Sequence, residues 1–180
     1  NVETLAAIPG ILKYGAKSFS SIGNAKSAGT KLVCLDSLFK NPGVYEMDMG
    51  TPMKKIIYDI GDGFIKPVKA LQVGGPLGGV IPIKEVEKLN LDFQEFTKAG
   101  FMLGHGGIVS IPEDFNMIKY IHHLFKFSAE ESCGKCFPGR LGSYRGKEIF
   151  DQAVSKTNKI PIKLLNELLI TMQKGSLCAL

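Results

Sequence analysis

The pattern of apolar residues changes its period at Pro112, and that change divides the chain into two kinds of structure. Before it, apolar residues come in short alternating runs punctuated by Gly and Pro, as in strands with one buried face. After it, they recur every three or four residues, as in helices packed along one stripe. One continuous parallel sheet across the boundary is not expected. The fold class is α+β, with a sheet domain followed by a helical one.

In the first part, residues 31–35 (KLVCL) read as a strand, Asn41-Pro42-Gly43 as a turn, and residues 44–49 as a second strand. Residues 53–60 have helical periodicity that Gly61-Asp62-Gly63 ends. Residues 68–73 form a strand running into Gly74-Gly75-Pro76-Leu77-Gly78-Gly79, and residues 108–111 a last one. Strand, strand, helix, strand, strand is the order of a ubiquitin-like β-grasp module, here spanning 30–111. Cys34, between Val33 and Leu35, is expected in its core. Residues 1–29 are a lead-in segment. Leu5, Ile8, Ile11 and Leu12 have helical spacing interrupted by Pro9-Gly10, and residues 18–29 read as a loop.

In the second part, Pro112-Glu113-Asp114 signals a helix start, and Ile118, Ile121, Leu124 and Phe125 fall on one stripe. A cysteine loop occupies 130–142 and a second helix 144–154. Pro161 stands at an N1 position for a third helix over 162–172, and Gly175-Ser176 ends it just before Cys178. Short loops between helices make 112–180 a small bundle. A turn near 156–159 would return the chain, so that Cys133, Cys136 and Cys178 converge on one cavity with Gly139 on its rim.

Composition narrows the function classes. The chain is 44% hydrophobic and 22% charged, an ordinary globular balance, and its net charge is +5 with Lys and Arg scattered. There is no basic block of the kind that binds nucleic acid. No uncharged apolar run approaches the roughly 18 residues of a membrane span, and no signal-peptide pattern opens the chain. Because Asn1 rather than Met comes first, a fragment or processed product is expected.

The strongest chemical signal is Glu130-Glu131-Ser132-Cys133-Gly134-Lys135-Cys136-Phe137-Pro138-Gly139-Arg140. Cys-x-x-Cys puts two thiolates on one tight loop, and Gly134 lets the backbone turn close to whatever they hold. Thiolates suit zinc or iron–sulfur clusters. A zinc knuckle, a dithiol redox pair and unliganded cysteines all fit this spacing. The glycine run at 74–79 lacks the Lys-Ser/Thr of a phosphate loop. His105 reads as a turn residue. His122 and His123 are adjacent on a helix and so point to different sides. No pair of carboxylates has a catalytic arrangement.

The motif ESCGKC-x-P-x-R-x-G, with SLCAL some forty residues on, resembles the cluster motif of the flavin-bearing NADH-oxidising subunits. That family comprises the respiratory complex I flavoprotein subunit and the corresponding subunits of NAD-linked formate dehydrogenases and bidirectional hydrogenases. NVETLA, GTKLVCL, PGVYEM and VGGPLGG resemble other segments of its C-terminal part. The resemblance implies an SLBB-type β-grasp domain and a [4Fe-4S] cluster with Cys133, Cys136 and Cys178 as ligands. The fourth ligand position holds Gly139 where the family has cysteine. Ser132, Gly134, Lys135 and Ser176 would surround the cluster. Lys135 and Arg140 bring cationic charge that favours a reduced cluster, and the two serines are placed to bond sulfur or to cap helix ends. Asn1 and Thr4 fall on positions that help bind FMN. FMN and NADH would be held mainly by a glycine-rich domain preceding residues 1–29.

The implied function is an electron relay from NADH-reduced FMN to partner subunits, among them a [2Fe-2S] thioredoxin-like subunit, with no membrane insertion of its own. The implied enzyme is an NADH dehydrogenase, of which this chain alone is inactive. The implied location is the cytoplasm or the cytoplasmic face of a membrane. The alternative is a structural, partner-docking module whose cysteine site is degenerate and holds zinc or nothing.

Overall fold

A computed structural model describes residues 2–157 and 159–178. The chain divides into two compact units, Asn1–Glu113 and Asp114–Leu180.

The first unit is built on a mixed five-stranded sheet in the order β2-β1-β5-β3-β4. Its strands are β1 (Thr30–Leu35), β2 (Gly43–Asp48), β3 (Val68–Val73), β4 (Gly79–Pro82) and β5 (Gly107–Pro112). The β1–β2 and β3–β4 pairs are antiparallel hairpins, and β5 lies between them, parallel to β1 and antiparallel to β3. Val33 and Leu35 set the register of β1, because a strand exposes and buries alternate residues. They face inward at 0% and 3% exposure, which turns Leu32 and Cys34 outward. Cys34 is therefore exposed, not the core thiol that its apolar neighbours implied.

The helix over the sheet matches the expected 53–60. It opens as α-helix at Met53–Lys55 and widens to a π-helical turn at Ile56–Ile60, burying Met53, Ile56 and Ile57 completely. Gly61 closes it against Phe39, with no room for a side chain: a Cβ there would lie 2.5 Å from the Phe39 ring. The glycine run after β3 is a close-packed turn. A Cβ on Gly78 would stand 1.7 Å from the Val73 carbonyl oxygen.

Three further features of this unit depart from expectation. The first helix, Val2–Tyr14, runs through Pro9 without stopping. Proline removes one hydrogen bond, to the Leu5 carbonyl, and on an exposed helix water can meet that carbonyl. Residues 18–29 are not simply a loop, since a short helix occupies Ala16–Ser20 and an isolated bridge pairs Gly23 with Ala28. Strand β4 and the short helices Ile83–Val86 and Phe93–Lys98 were not anticipated. Asp92 caps the last of these, accepting the N–H groups of Gln94 at 2.8 Å and Glu95 at 3.0 Å.

The second unit is helical. Pro112 ends a strand instead of starting a helix. The helix begins at Met117, where Asn116 accepts the N–H groups of Ile118 at 2.9 Å and Lys119 at 3.3 Å. It runs Met117–Glu131. The cysteine loop follows, then a π-helical turn at Pro138–Gly142, a helix at Ser143–Gln152 that loosens into a second π-helical stretch at Ala153–Thr157, and a last helix at Ile162–Gly175. Phe125 of the first helix stacks on Phe150 of the second, ring centroids 5.5 Å apart. Gly146 makes that approach possible, since a Cβ there would lie 2.1 Å from the Phe125 ring.

Candidate metal centre

The loop that carries Cys133 and Cys136 is closed by its own neighbours. Ser132 ends the first helix of this unit, its N–H bonded to the Ser128 carbonyl at 3.1 Å. Its hydroxyl accepts the Gly134 N–H at 3.3 Å. Gly134 has φ +72°, a left-handed conformation that favours glycine. The Arg140 side chain reaches back to donate to the Gly134 carbonyl at 3.1 Å, and its guanidinium lies 4.9 Å from the centre of the Phe137 ring. The Ser143 hydroxyl donates to the Gly139 carbonyl. Arg140, read in the sequence as nearby charge, thus also clamps the loop. Ser143 carried no sequence signal for its part. Lys135 is exposed.

Cys136 is the best enclosed of the three ligand candidates. Cys133 and Cys178 are exposed. The Leu177 backbone, and then that of Gly139, hydrogen-bond the Cys136 thiol and hold its pKa below the ordinary value. Burial opposes the shift, and the Arg140 charge adds to it. The last helix arrives there closely packed. A Cβ on Gly175 would lie 3.0 Å from Pro138, and one on Gly142 2.8 Å from Met172. Ser176 caps that helix through its N–H to the Met172 carbonyl at 3.0 Å. Cys178 and Ser176 also border a groove lined by Ile121, Leu124 and Phe125.

The donors fit an iron–sulfur cluster in kind. Thiolates are its ligands, and amide hydrogen bonds to sulfur are among its tuning contacts. In number they are one short. At position 139 a Cβ would stand 3.1 Å from Cys136 Sγ and 3.4 Å from Ser132 Oγ, so a side chain there would enter the same space. Among the described residues no three His, Cys, Asp or Glu side chains are gathered closely enough to hold one metal ion. Such ligands are commonly drawn together by the metal itself, whose binding energy organises the site.

The remaining candidates lie elsewhere. Thr4 is exposed on the first turn of its helix, beside Glu3, whose carboxylate pairs with buried Lys31 and accepts the Leu32 N–H at 2.7 Å. Asn1 lies outside the described residues. His105 accepts the Gly107 N–H at 3.0 Å within its own turn, and His122 meets Asp151 at 2.6 Å. Among the described residues no helix is long and apolar enough to cross a membrane.

The family described as "NADH-ubiquinone oxidoreductase-F iron-sulfur binding region" matches residues 119–180. Over its full length the chain is 37% identical to the NADP-reducing hydrogenase subunit HndC of Solidesulfovibrio fructosivorans, and it spans 37% of that protein. Also over its full length it is 33% identical to the mitochondrial NADH dehydrogenase [ubiquinone] flavoprotein 1 of Dictyostelium discoideum, spanning 38% of it. Among solved structures, an NAD+-reducing [NiFe]-hydrogenase in the H2-reduced state superposes with a TM-score of 0.84 at 26% identity. That match covers 99% of this chain and 30% of the hydrogenase chain. The chain spans well under half the length of these relatives. It belongs to the NADH-ubiquinone oxidoreductase-F family, which related hydrogenases share, as a counterpart of the C-terminal part of its members, and residues 119–180 match the family's iron–sulfur binding region.

Proposed function

We propose that this chain is the electron-relay part of an NADH dehydrogenase flavoprotein subunit, serving transfer from NADH-reduced FMN to partner subunits. The observation that carries the reading is the packing of the last helix, which ends just before Cys178, on the C-x-x-C segment: a Cβ on Gly175 would lie 3.0 Å from Pro138. Cys133, Cys136 and Cys178 would hold a [4Fe-4S] cluster, which when bound supplies one-electron storage. Gly134 and the Arg140 clamp keep the loop tight around it, and Lys135 and Arg140 offset its negative charge. Ser132 and Ser176 stand next to ligand positions.

The sheet order, with β5 inserted parallel to β1 between two hairpins, supports reading residues 30–111 as a ubiquitin-like β-grasp domain of SLBB type. Residues 1–29 then lead in from an FMN- and NADH-binding domain, with Asn1 and Thr4 contributing to the flavin site. Residues 112–180 are the cluster-bearing bundle. Partners would be the other electron-transfer subunits, including a [2Fe-2S] thioredoxin-like one. The complex would work in the cytoplasm or at the cytoplasmic membrane face, and this chain alone would not oxidise NADH. Gly139 favours one rival reading, a docking module with a zinc-filled or empty site. Iron, acid-labile sulfide and the visible spectrum after anaerobic reconstitution separate the two. The relay reading expects all three signals, strengthened in Gly139→Cys. Uptake of zinc alone by both proteins under iron-replete conditions would overturn it.

A further inference from the structure

The strongest unexplained coincidence in the molecule is at position 139. A Cβ built there would meet Cys136 Sγ at 3.1 Å and Ser132 Oγ at 3.4 Å, so a serine hydroxyl already faces the space that a fourth cysteine would use. We propose that Ser132 supplies the fourth ligand: its oxygen takes the iron that the three cysteines leave without a thiolate. The proposal rests on the cluster reading above and names the residue that completes it.

Ser132 is suited to this in position and in bonding capacity. It is half-buried, and its backbone is fixed at the end of a helix by the bond to Ser128. Its hydroxyl accepts a long 3.3 Å bond from Gly134, and a hydroxyl oxygen has a second lone pair. On ligation the O–H bond breaks, the proton passes to solvent, and the oxygen lone pair forms the Fe–O bond. No electron changes hands. The other side chains that close the loop are committed or unsuitable. Ser143 donates to the Gly139 carbonyl, and Arg140 spans Gly134 and Phe137. Lys135 is exposed and, as an ammonium, has no lone pair to offer. Oxygen is a harder donor than thiolate, so this iron should be the most easily lost of the four.

The test compares the parent chain with Ser132→Ala, Ser132→Cys, Gly139→Cys and the double variant Ser132→Ala/Gly139→Cys. Each is reconstituted anaerobically with iron and sulfide. Iron and sulfide per chain are measured, with Mössbauer and electron paramagnetic resonance spectra of frozen samples. The parent should hold a four-iron centre. Ser132→Ala should lose about one iron of the four and give a three-iron signal, because a cubane is held through four ligand positions. The double variant should recover the full count, showing that the loop still folds without the hydroxyl. Ser132→Cys should keep four irons and surrender them to a chelator more slowly than the parent. A Ser132→Ala protein with the parent's iron content and spectrum overturns the assignment, leaving solvent or an added thiol on the fourth iron. So does a double variant that stays one iron short, since Ser132 would then matter only for folding. Absence of iron from both the parent and Gly139→Cys would instead remove the cluster reading, and the ligand assignment with it.

Discussion

The two units are held together by different means. The sheet unit has a continuous apolar interior: Val33, Met53, Ile57, Leu71, Ile81 and Phe96 are all at 0% exposure. In the helical unit, the buried apolar side chains among the described residues are Ala129, Ile149, Phe150 and Ala153, and its last helix buries none. Apolar burial contributes roughly 25 cal/mol per Å², so a unit with so little of it leans on other ties. Its cysteine loop is closed by Arg140 and Ser143. A hydrophobic pattern therefore specifies the first unit, and much of the second rests on the ties around its cysteine loop.

Removing a large core side chain should break that contrast most visibly. Phe39 is buried and packs on Phe64, ring centroids 4.7 Å apart. Phe39→Ala should lower the stability of the sheet unit by about 3–5 kcal/mol. Amide hydrogen exchange should report this in β1, β3 and β5 and leave the helix at Ser143–Gln152 unchanged. Equal losses in both units would mean that one cooperative core spans them.

The converse experiment loads and strips the metal. Any ligand that binds only the folded form stabilises it, by about 2.7 kcal/mol at a hundredfold excess over its dissociation constant. Reconstitution should raise protection of the helical unit by that order and leave β3 amides where they were. A chelator should reverse it. Protection rising in the sheet unit alone would contradict the division of labour.

A smaller effect belongs to the cap at Asp92. Burial pushes its carboxyl pKa upward, but hydrogen bonds from Asn24, the Glu95 N–H, Ser27 and the Gln94 N–H outweigh this and hold it below 3.8. A depressed folded value means that the contribution is present above the unfolded value and disappears as pH falls through the folded one. Asp92→Ala should cost about 1 kcal/mol at neutral pH, within the sheet unit, and the difference from the parent should shrink in acid below 3.8. Denaturant titrations at neutral and acid pH measure both.

What the sequence disclosed follows the same contrast. Strand β3 was legible to the residue, because every position but Lys69 is buried and the run is unbroken. Strand β4 was not, since Gly79 closes the glycine run and the sheet supplies its partners from β3. The Asp92-x-x-Glu95 spacing did hold a capping signal for the missed helix. Cys34 misled because neighbouring residues were weighed in place of alternate ones. At the candidate metal centre, spacing alone left zinc, redox and unliganded readings open. The close approach of the last helix rests on Gly142 and Gly175, which no cysteine spacing encodes.

The least effect is expected from the polar trio Asp151, Lys147 and His122 on the surface of the helical unit, and its direction is set by two shifts of opposite sense. Lys147 donates to Asp151 at 2.7 Å, and His122 approaches the other carboxylate oxygen at 2.6 Å. The Lys147 hydrogen bond, against some desolvation and with help from His122, holds the Asp151 carboxyl below 3.8. The Asp151 hydrogen bond, against desolvation and aided by Glu130 and Glu148, raises the Lys147 ammonium above 10.5. The carboxylate's share is present above its unfolded value and vanishes as pH falls through its folded one. The ammonium's share is complete below 10.5 and vanishes as pH climbs through its raised folded value. Between those limits the pair should add a flat increment, small because exposed charges are well screened by water and salt. Asp151→Asn should remove it and flatten both the acid and alkaline edges of the helical unit's stability profile, read from amide exchange in Ser143–Gln152. The increment should also fade at high salt. An effect as large as that expected on metal loading would show that surface charge holds this unit together.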